Sequence, residues 1–262
     1  MNPDTNFHLY LLIGQSNMAG RGQVEPQDQA VHPRVWALDK AEQWVPAADP
    51  IHFDKPIAGV GPGLTFGKAM AEHSPGVRIG LIPCAAGGSP ISVWTPGGFW
   101  EQTHSRPYDD AMDRARTAMG HGVLRAILWH QGESDCNERD VGLYEGRLVA
   151  LIHALRTDLD QPQVPFICAT LADFFVAGNP WAARVNQILR QIPDRVAHTA
   201  CVDAGGLGHK GDELHFDSAA ARELGRRYAQ AMLLHFAASP SPINRPSNLP
   251  ASVLPSSRPH LV

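Results

Sequence analysis

The feature that most constrains this chain is a regular alternation of short apolar runs with longer stretches of helical period. Leu9–Ile13, Val77–Ile82, Leu124–Trp129, Pro165–Leu171 and Ala197–Val202 are each dominated by aliphatic residues. Their apolar residues are mostly continuous rather than alternating, the pattern of strands covered on both faces and therefore parallel. Between them lie Leu64–Glu72, Tyr108–Ala118, Leu143–Asp158 and Trp181–Gln191, with Ser218–Phe236 after the last, and all five carry helical spacing. Such a β-α-β-α series folds as an open doubly wound sheet, because right-handed crossovers leave few other topologies. We expect an α/β fold, a three-layer α/β/α sandwich around a five-stranded, mainly parallel sheet of flavodoxin-like order. Val35–Leu38 and Gln43–Val45 read as further short strands or a hairpin.

Composition removes several function classes. Of 262 residues 44% are hydrophobic and 18% charged, with a formal net charge of −4, which suits a globular chain rather than a disordered or polyelectrolyte one. No run of five or more Lys/Arg offers a footprint for nucleic acid, and no basic amphipathic helix points to a membrane surface. The apolar run at Leu9–Ile13 is far shorter than the roughly 18 residues of a membrane span, and no signal-peptide pattern precedes it. As written the chain is expected to be cytoplasmic, or secreted or periplasmic if it is a mature form. Cys84, Cys136, Cys168 and Cys201 form no C-x-x-C pair and no zinc-type spacing, so they read as small buried hydrophobes and no metal is expected. Residues 1–236 read as one domain. Residues 237–262, rich in Pro and Ser and without acidic residues, read as a disordered tail.

In a sheet of this kind chemistry belongs just after the carboxyl ends of the strands. The first strand ends in Gly14-Gln15-Ser16-Asn17-Met18-Ala19-Gly20. Ser16 there suits either a hydroxyl presented at the sheet edge or a plain helix N-cap. Met18 occupies the second glycine position of the G-x-S-x-G elbow, which disfavours that motif. The second ends in Pro83-Cys84-Ala85-Ala86-Gly87-Gly88-Ser89, a tight turn or a place where an N–H of Gly87 or Gly88 faces an oxyanion. The third ends in His130-Gln131-Gly132-Glu133-Ser134-Asp135. A Gln131 carboxamide can donate to developing negative charge and Glu133 can accept, although Ser134 or Asp135 also suits a helix cap. Before the last helix stands Asp212-Glu213-Leu214-His215. A carboxylate three residues before a histidine can orient one ring nitrogen while the other faces a serine hydroxyl.

Taken together these strings resemble the SGNH hydrolases, and more closely the acetylesterases of carbohydrate esterase family six and the sialate O-acetylesterase group. The G-Q-S-N-M-x-G and W-x-Q-G-E-S-D strings carry most of the resemblance, which runs from Leu12 to His215. It implies a three-layer α/β/α fold and a cofactor-free, metal-free serine ester hydrolase acting on acetylated carbohydrate. By position, Ser16 resembles the nucleophile, His215 the general base and Asp212 its orienting acid. The N–H groups of Ser16 and Gly88 and the side chain of Gln131 resemble an oxyanion hole. The broader pattern has Asn in G-x-N-D where this chain has Gln131-Gly132-Glu133, which leaves Glu133 as a second acid for His215 or a support for its loop.

The expected chemistry is a two-step acyl transfer through an acetyl-enzyme. Trp94 and Trp100, in the Gly/Pro-rich loop Ser89–Pro107, are candidates for stacking on a sugar ring or for anchoring the loop by burial. The expected partner is a small or oligosaccharide acetyl ester, on xylose, sialic acid or another sugar. Transfer of acetyl to a sugar acceptor, or carbohydrate binding without turnover, are the alternatives.

Overall fold

The computed structural model describes residues 3–236, and the Pro- and Ser-rich stretch read as a tail lies outside them. The elements run β1 (Asp4–Gly14), α1 (Ser16–Ala19), α2 (Pro26–Gln29), β2 (Val35–Leu38), β3 (Trp44–Pro46), α3 (Pro62–His73), β4 (Arg78–Pro83), α4 (Pro107–Met119), β5 (Gly122–His130), α5 (Tyr144–Asp158), β6 (Phe166–Ala169), α6 (Asp173–Gly178), α7 (Ala182–Arg195), β7 (Thr199–Val202) and α8 (Ser218–Phe236). Proline at the start of α3 and α4 fixes φ where no N–H is needed.

All the strands join one sheet in the order β3-β2-β4-β1-β5-β6-β7. The five strands expected from the sequence stand as β4-β1-β5-β6-β7, the flavodoxin-like order, and all pair in parallel. The sheet has seven strands rather than five because the β2–β3 hairpin adds to the edge at β4. There Val35, Trp36 and Ala37 pair with Ile79, Gly80 and Leu81, while β3 lies antiparallel to β2. Asp39 closes the hairpin by accepting the N–H groups of Ala41 and Gln43 at 2.9 and 2.8 Å. Val35 and Leu38 are fully buried, so this edge is held by apolar contact as well as by its ladder.

The central strand β1 feeds a core on each side. Leu9, Leu11 and Ile13 point into the layer with α4, α5 and α7, beside Trp129 and Tyr144. Tyr10 and Leu12 point into the layer with α3 and α8, beside Phe66 and Tyr228. This period of two, apolar on both faces, is why β1 reads as a continuous apolar run. Tyr228 of α8 also donates to the Trp129 carbonyl at 2.7 Å, tying the last helix to the middle of the sheet. Among the described residues no helix is long and apolar enough to cross a membrane, and all four cysteines are free.

Helix α8 approaches α3 closely because Gly225 has no side chain. A Cβ there would lie 2.3 Å from the Pro62 carbonyl oxygen, 3.0 Å from the Phe66 nitrogen and 3.1 Å from the Thr65 Cβ. Gly225→Ala is therefore expected to lower stability by about 1–3 kcal/mol, read as a lower urea midpoint with unchanged m. An unchanged midpoint would mean that the helices can separate without loss.

Candidate active site

At the end of β1 the chain must turn sharply beside β5. Gly14 has φ +130, and a Cβ on it would lie 2.1 Å from the His130 carbonyl oxygen, so only glycine fits there. That oxygen accepts the Gln15 N–H at 2.9 Å, and Ser16 becomes the first residue of α1. As a first-turn residue its N–H has no helical acceptor, and no other protein acceptor takes it among the described residues. The residue is 6% exposed, with that surface facing a pocket.

The loop before α8 brings a histidine onto this serine. Asp212 Oδ1 accepts the N–H groups of Leu214 and His215 at 3.1 and 2.8 Å, and Oδ2 accepts His215 Nδ1 at 2.7 Å. The other ring nitrogen, Nε2, lies 3.0 Å from Ser16 Oγ. Burial works against ionising Asp212, but the two N–H groups and the imidazole outweigh it and hold the carboxyl at about 2. A carboxylate only accepts, so Nδ1 carries the proton, and Nε2 of the neutral ring is left as the acceptor for the Ser16 hydroxyl. Burial pulls His215 below the ordinary histidine value, against the raising effect of Asp212 and with help from the charges of Arg21 and Lys210.

Asn17 holds this arrangement from the next position along α1. Its Oδ1 accepts the Phe216 N–H at 3.2 Å, and its Nδ2 donates to the Leu214 carbonyl at 3.0 Å, so one carboxamide grips the backbone on both sides of His215. The second hydrogen of Nδ2 goes to Glu133 Oε1 at 2.6 Å. Burial raises the Glu133 pKa, and the Asn17 hydrogen bond opposes it. Of the two roles left open by the sequence, the geometry gives Glu133 the support of the histidine loop: it bonds Asn17, with no hydrogen bond to His215. The adjacent His130 is fully buried and pushed down to about 3, hence neutral.

The turn after β4 supplies a second free N–H. Gly87 N–H is taken by Asp54 Oδ2 at 2.9 Å and Ser89 N–H by the Ala86 carbonyl at 3.1 Å. Gly88, at φ +81, lies between them with its N–H unengaged among the described residues. Asp54 is itself locked by Arg21, in a buried ion pair of 2.7 Å, so the turn is anchored from below.

Three expected site residues stand elsewhere. Gln131 is fully buried and does not line the pocket. Its amide donates to the Ser89 carbonyl at 3.1 Å and to Asp135 at 2.5 Å, so it braces the loops rather than facing Ser16. Trp94 is 2% exposed, packs edge-on against Trp129 and donates to Ser89 Oγ at 3.0 Å. Trp100 is half-buried and donates to the Gly87 carbonyl at 3.1 Å. Both tryptophans anchor their loop, and neither lines the pocket.

The pocket over Ser16 holds about 350 Å³ and is lined by Gln15, Ser16, Arg21, Lys55, Ile57, Gly87, Gly88, Gln102, Glu133, Ser134, Phe175, Leu214 and His215. Asn17 was visible in the G-Q-S-N-M string without a role. Lys55, Ile57 and Gln102 sit in loops whose sequence carries no chemical pattern, and only the fold brings them in. Among the described residues no group of three His, Cys, Asp or Glu is placed to hold a metal ion.

Known proteins share this arrangement of chain. The sequence matches the family model described as carbohydrate esterase, sialic acid-specific acetylesterase, over residues 6–234. It is 32% identical to a probable carbohydrate esterase of Arabidopsis thaliana over 249 residues, 87% of this chain and 91% of that protein. The crystal structure of that Arabidopsis protein superposes with a TM-score of 0.79, covering 89% of this chain and all of the other. A probable 9-O-acetyl-N-acetylneuraminic acid deacetylase of Escherichia coli is 23% identical over 231 residues, 71% of each chain.

Two outcomes follow for turnover of a simple acetyl ester. With His215 as the general base, kcat/KM is expected to rise with pH as its proton leaves and to level off, with the midpoint below 6.5; a midpoint above that value would contradict the burial of the ring. Asn17→Ala releases both backbone grips on His215 and is expected to lower kcat by about a hundredfold, the scale of a 1 Å misplacement, with KM little changed. A kcat within twofold of wild type would show that the loop holds itself.

Proposed function

The chain belongs to the carbohydrate esterase family described as sialic acid-specific acetylesterases and is a carboxylic ester hydrolase; we propose that it removes O-acetyl groups from sugars through an acetyl-enzyme on Ser16. The observation behind this is the unbroken line from Asp212 through His215 to Ser16 Oγ, at 2.7 and 3.0 Å. His215 Nε2 takes the hydroxyl proton as Oγ bonds the acetyl carbonyl carbon. The carbonyl oxygen gains charge and is received by the free N–H groups of Ser16 and Gly88, each such donor contributing about 3 kcal/mol to the transition state. The imidazolium formed is stabilised by the Asp212 carboxylate, then protonates the leaving sugar oxygen as the C–O bond breaks. Water, deprotonated by the same Nε2, then attacks the acetyl carbon; the C–Oγ bond breaks as Nε2 returns the proton to Ser16 Oγ, releasing acetate and restoring the free enzyme.

The pocket lining supports a sugar as the leaving group. Lys55, Gln102 and Ser134 offer polar contacts, while Ile57, Phe175 and Leu214 offer apolar surface to a ring and a methyl group. The family description and the E. coli relative's name support O-acetylated sialic acid as the first substrate to try; acetylated xylose, the other sugar expected from the sequence, is tried beside it.

Acetate release from p-nitrophenyl acetate, O-acetylated sialic acid and acetylated xylose tests this. Wild type is expected to hydrolyse the aryl ester and at least one sugar ester. Ser16→Ala is expected to fold with an unchanged Tm and to lose about 10⁴-fold or more in kcat. A folded Ser16→Ala protein that keeps turning over would remove the acetyl-serine from the mechanism.

A further inference from the structure

Gly87 and Gly88 both line the Ser16 pocket, and the peptide between them carries the Gly88 N–H at one edge and the Gly87 carbonyl at the other. In a planar trans peptide these two groups point in opposite directions, so whatever fixes the carbonyl also aims the N–H. The plane turns on ψ of Gly87 and φ of Gly88. Neither residue has the Cβ that narrows those angles, so turning the plane over meets little steric resistance from the chain itself. The direction of the Gly88 N–H is therefore set by hydrogen bonds.

Asp54 Oδ2 accepts the Gly87 N–H at 2.9 Å, and Ser134 Oγ donates to the Gly88 carbonyl at 2.9 Å. Both bonds belong to the peptides on either side and leave the plane between them free to turn. That plane has one partner among the described residues. Trp100 Nε1–H donates to the Gly87 carbonyl at 3.1 Å. Trp100 is itself held, because its N–H donates to the Ser105 carbonyl at 2.8 Å and its carbonyl accepts the Ser105 N–H at 3.3 Å. Its ring packs against the apolar layer that contains Trp94 and Trp129. Gln102, inside the same turn, lies against Gly88, where a Cβ would stand 2.9 Å from its Oε1. The indole thus reaches the Gly87 carbonyl from a fixed piece of loop.

The chemistry of the indole makes this bond selective. A hydroxyl or a carboxamide both donates and accepts, so it would bind the peptide either way up. An indole N–H only donates. With the plane turned over, the Gly88 N–H would face the indole N–H, and neither could accept from the other. We infer that Trp100 is a positioning residue of the oxyanion hole: by holding the Gly87 carbonyl it keeps the Gly88 N–H turned toward the oxygen that gains charge. The inference rests on the acetylesterase reading above and extends it. Trp94, in the same loop, donates its indole N–H to Ser89 Oγ at 3.0 Å and makes no hydrogen bond to this peptide.

The test replaces Trp100 by Phe and, separately, by benzothienylalanine, which keeps the bicyclic ring and lacks the N–H. On p-nitrophenyl acetate each replacement is expected to lower kcat by about tenfold or more, approaching the roughly hundredfold or greater loss of an oxyanion donor removed outright, with KM little changed. Affinity for phenyl trifluoromethyl ketone, which adds to a serine Oγ to give a tetrahedral oxyanion, is expected to fall by the same factor as kcat. Trp94→Phe is expected to leave both close to wild type. An unchanged kcat in the two Trp100 replacements, a lower kcat with unchanged ketone affinity, or an equal loss in Trp94→Phe overturns the assignment. Should wild type hydrolyse no ester at all, the esterase reading fails while the orienting bond is still decided by NMR of the Gly88 amide. One sharp signal in wild type that splits or broadens in the benzothienylalanine protein supports it, and one sharp signal in both refutes it.

Discussion

The hydrogen bond between Ser16 Oγ and His215 Nε2 joins residues 199 positions apart, and the rest of the structure is arranged so that it forms. One end is set by β1, central in the sheet and paired with both β4 and β5, which fixes where Ser16 leaves the strand. The other end is set by the loop entering α8, whose backbone Asn17 grips on either side of His215. Because Asn17 is the neighbour of Ser16, the Ser16 hydroxyl and the His215 imidazole are referred to the same short helix. A shift of the histidine loop therefore cannot occur without breaking bonds to the residue next to Ser16.

Beneath the pocket lies a layer of buried polar groups held in part by fixed partners, although both ring nitrogens of His130, Gln131 Oε1, Glu133 Oε2 and Asp135 Oδ1 have none among the described residues. Arg21 and Asp54 pair and hold Gly87. Asp135 receives the Ile91 N–H at 2.8 Å and the Gln131 amide, so the loops after β4 and β5 are stitched together. Burial keeps His130 neutral and lowers the pKa of His215, while the more exposed Asp212 stays ionised. The proton is thus placed on Nδ1 before any substrate arrives, which is the preorganisation that a general base needs.

Much of this was legible because strand ends concentrate chemistry in a doubly wound sheet. Five strands and five long helices followed from periodicity, and Ser16, Gly88, Asp212 and His215 stood out as polar or glycine positions directly after apolar runs or before a helix. The hairpin's place in the sheet was not legible, since four residues of strand 2 carry no record of which edge they join. Gln131 misled for a related reason. A carboxamide at a strand end is equally able to face a substrate or brace a neighbouring loop, and only the positions of Ser89 and Asp135 decide. Trp94 and Trp100 were ambiguous in the same way, and their burial and indole N–H bonds decided for anchoring. Arg21, Asp54 and Lys55 come together through contacts that no local pattern encodes.

The central claim is a covalent acetyl-serine at position 16. The most direct measurement is rapid quenching of wild-type enzyme during turnover of p-nitrophenyl acetate, followed by mass spectrometry of its peptides. One acetyl group on the peptide containing Ser16, appearing with the burst of p-nitrophenol and absent after turnover ends, is the predicted result. Full turnover with that peptide unmodified, or a turnover-linked acetyl group on another residue, would contradict it.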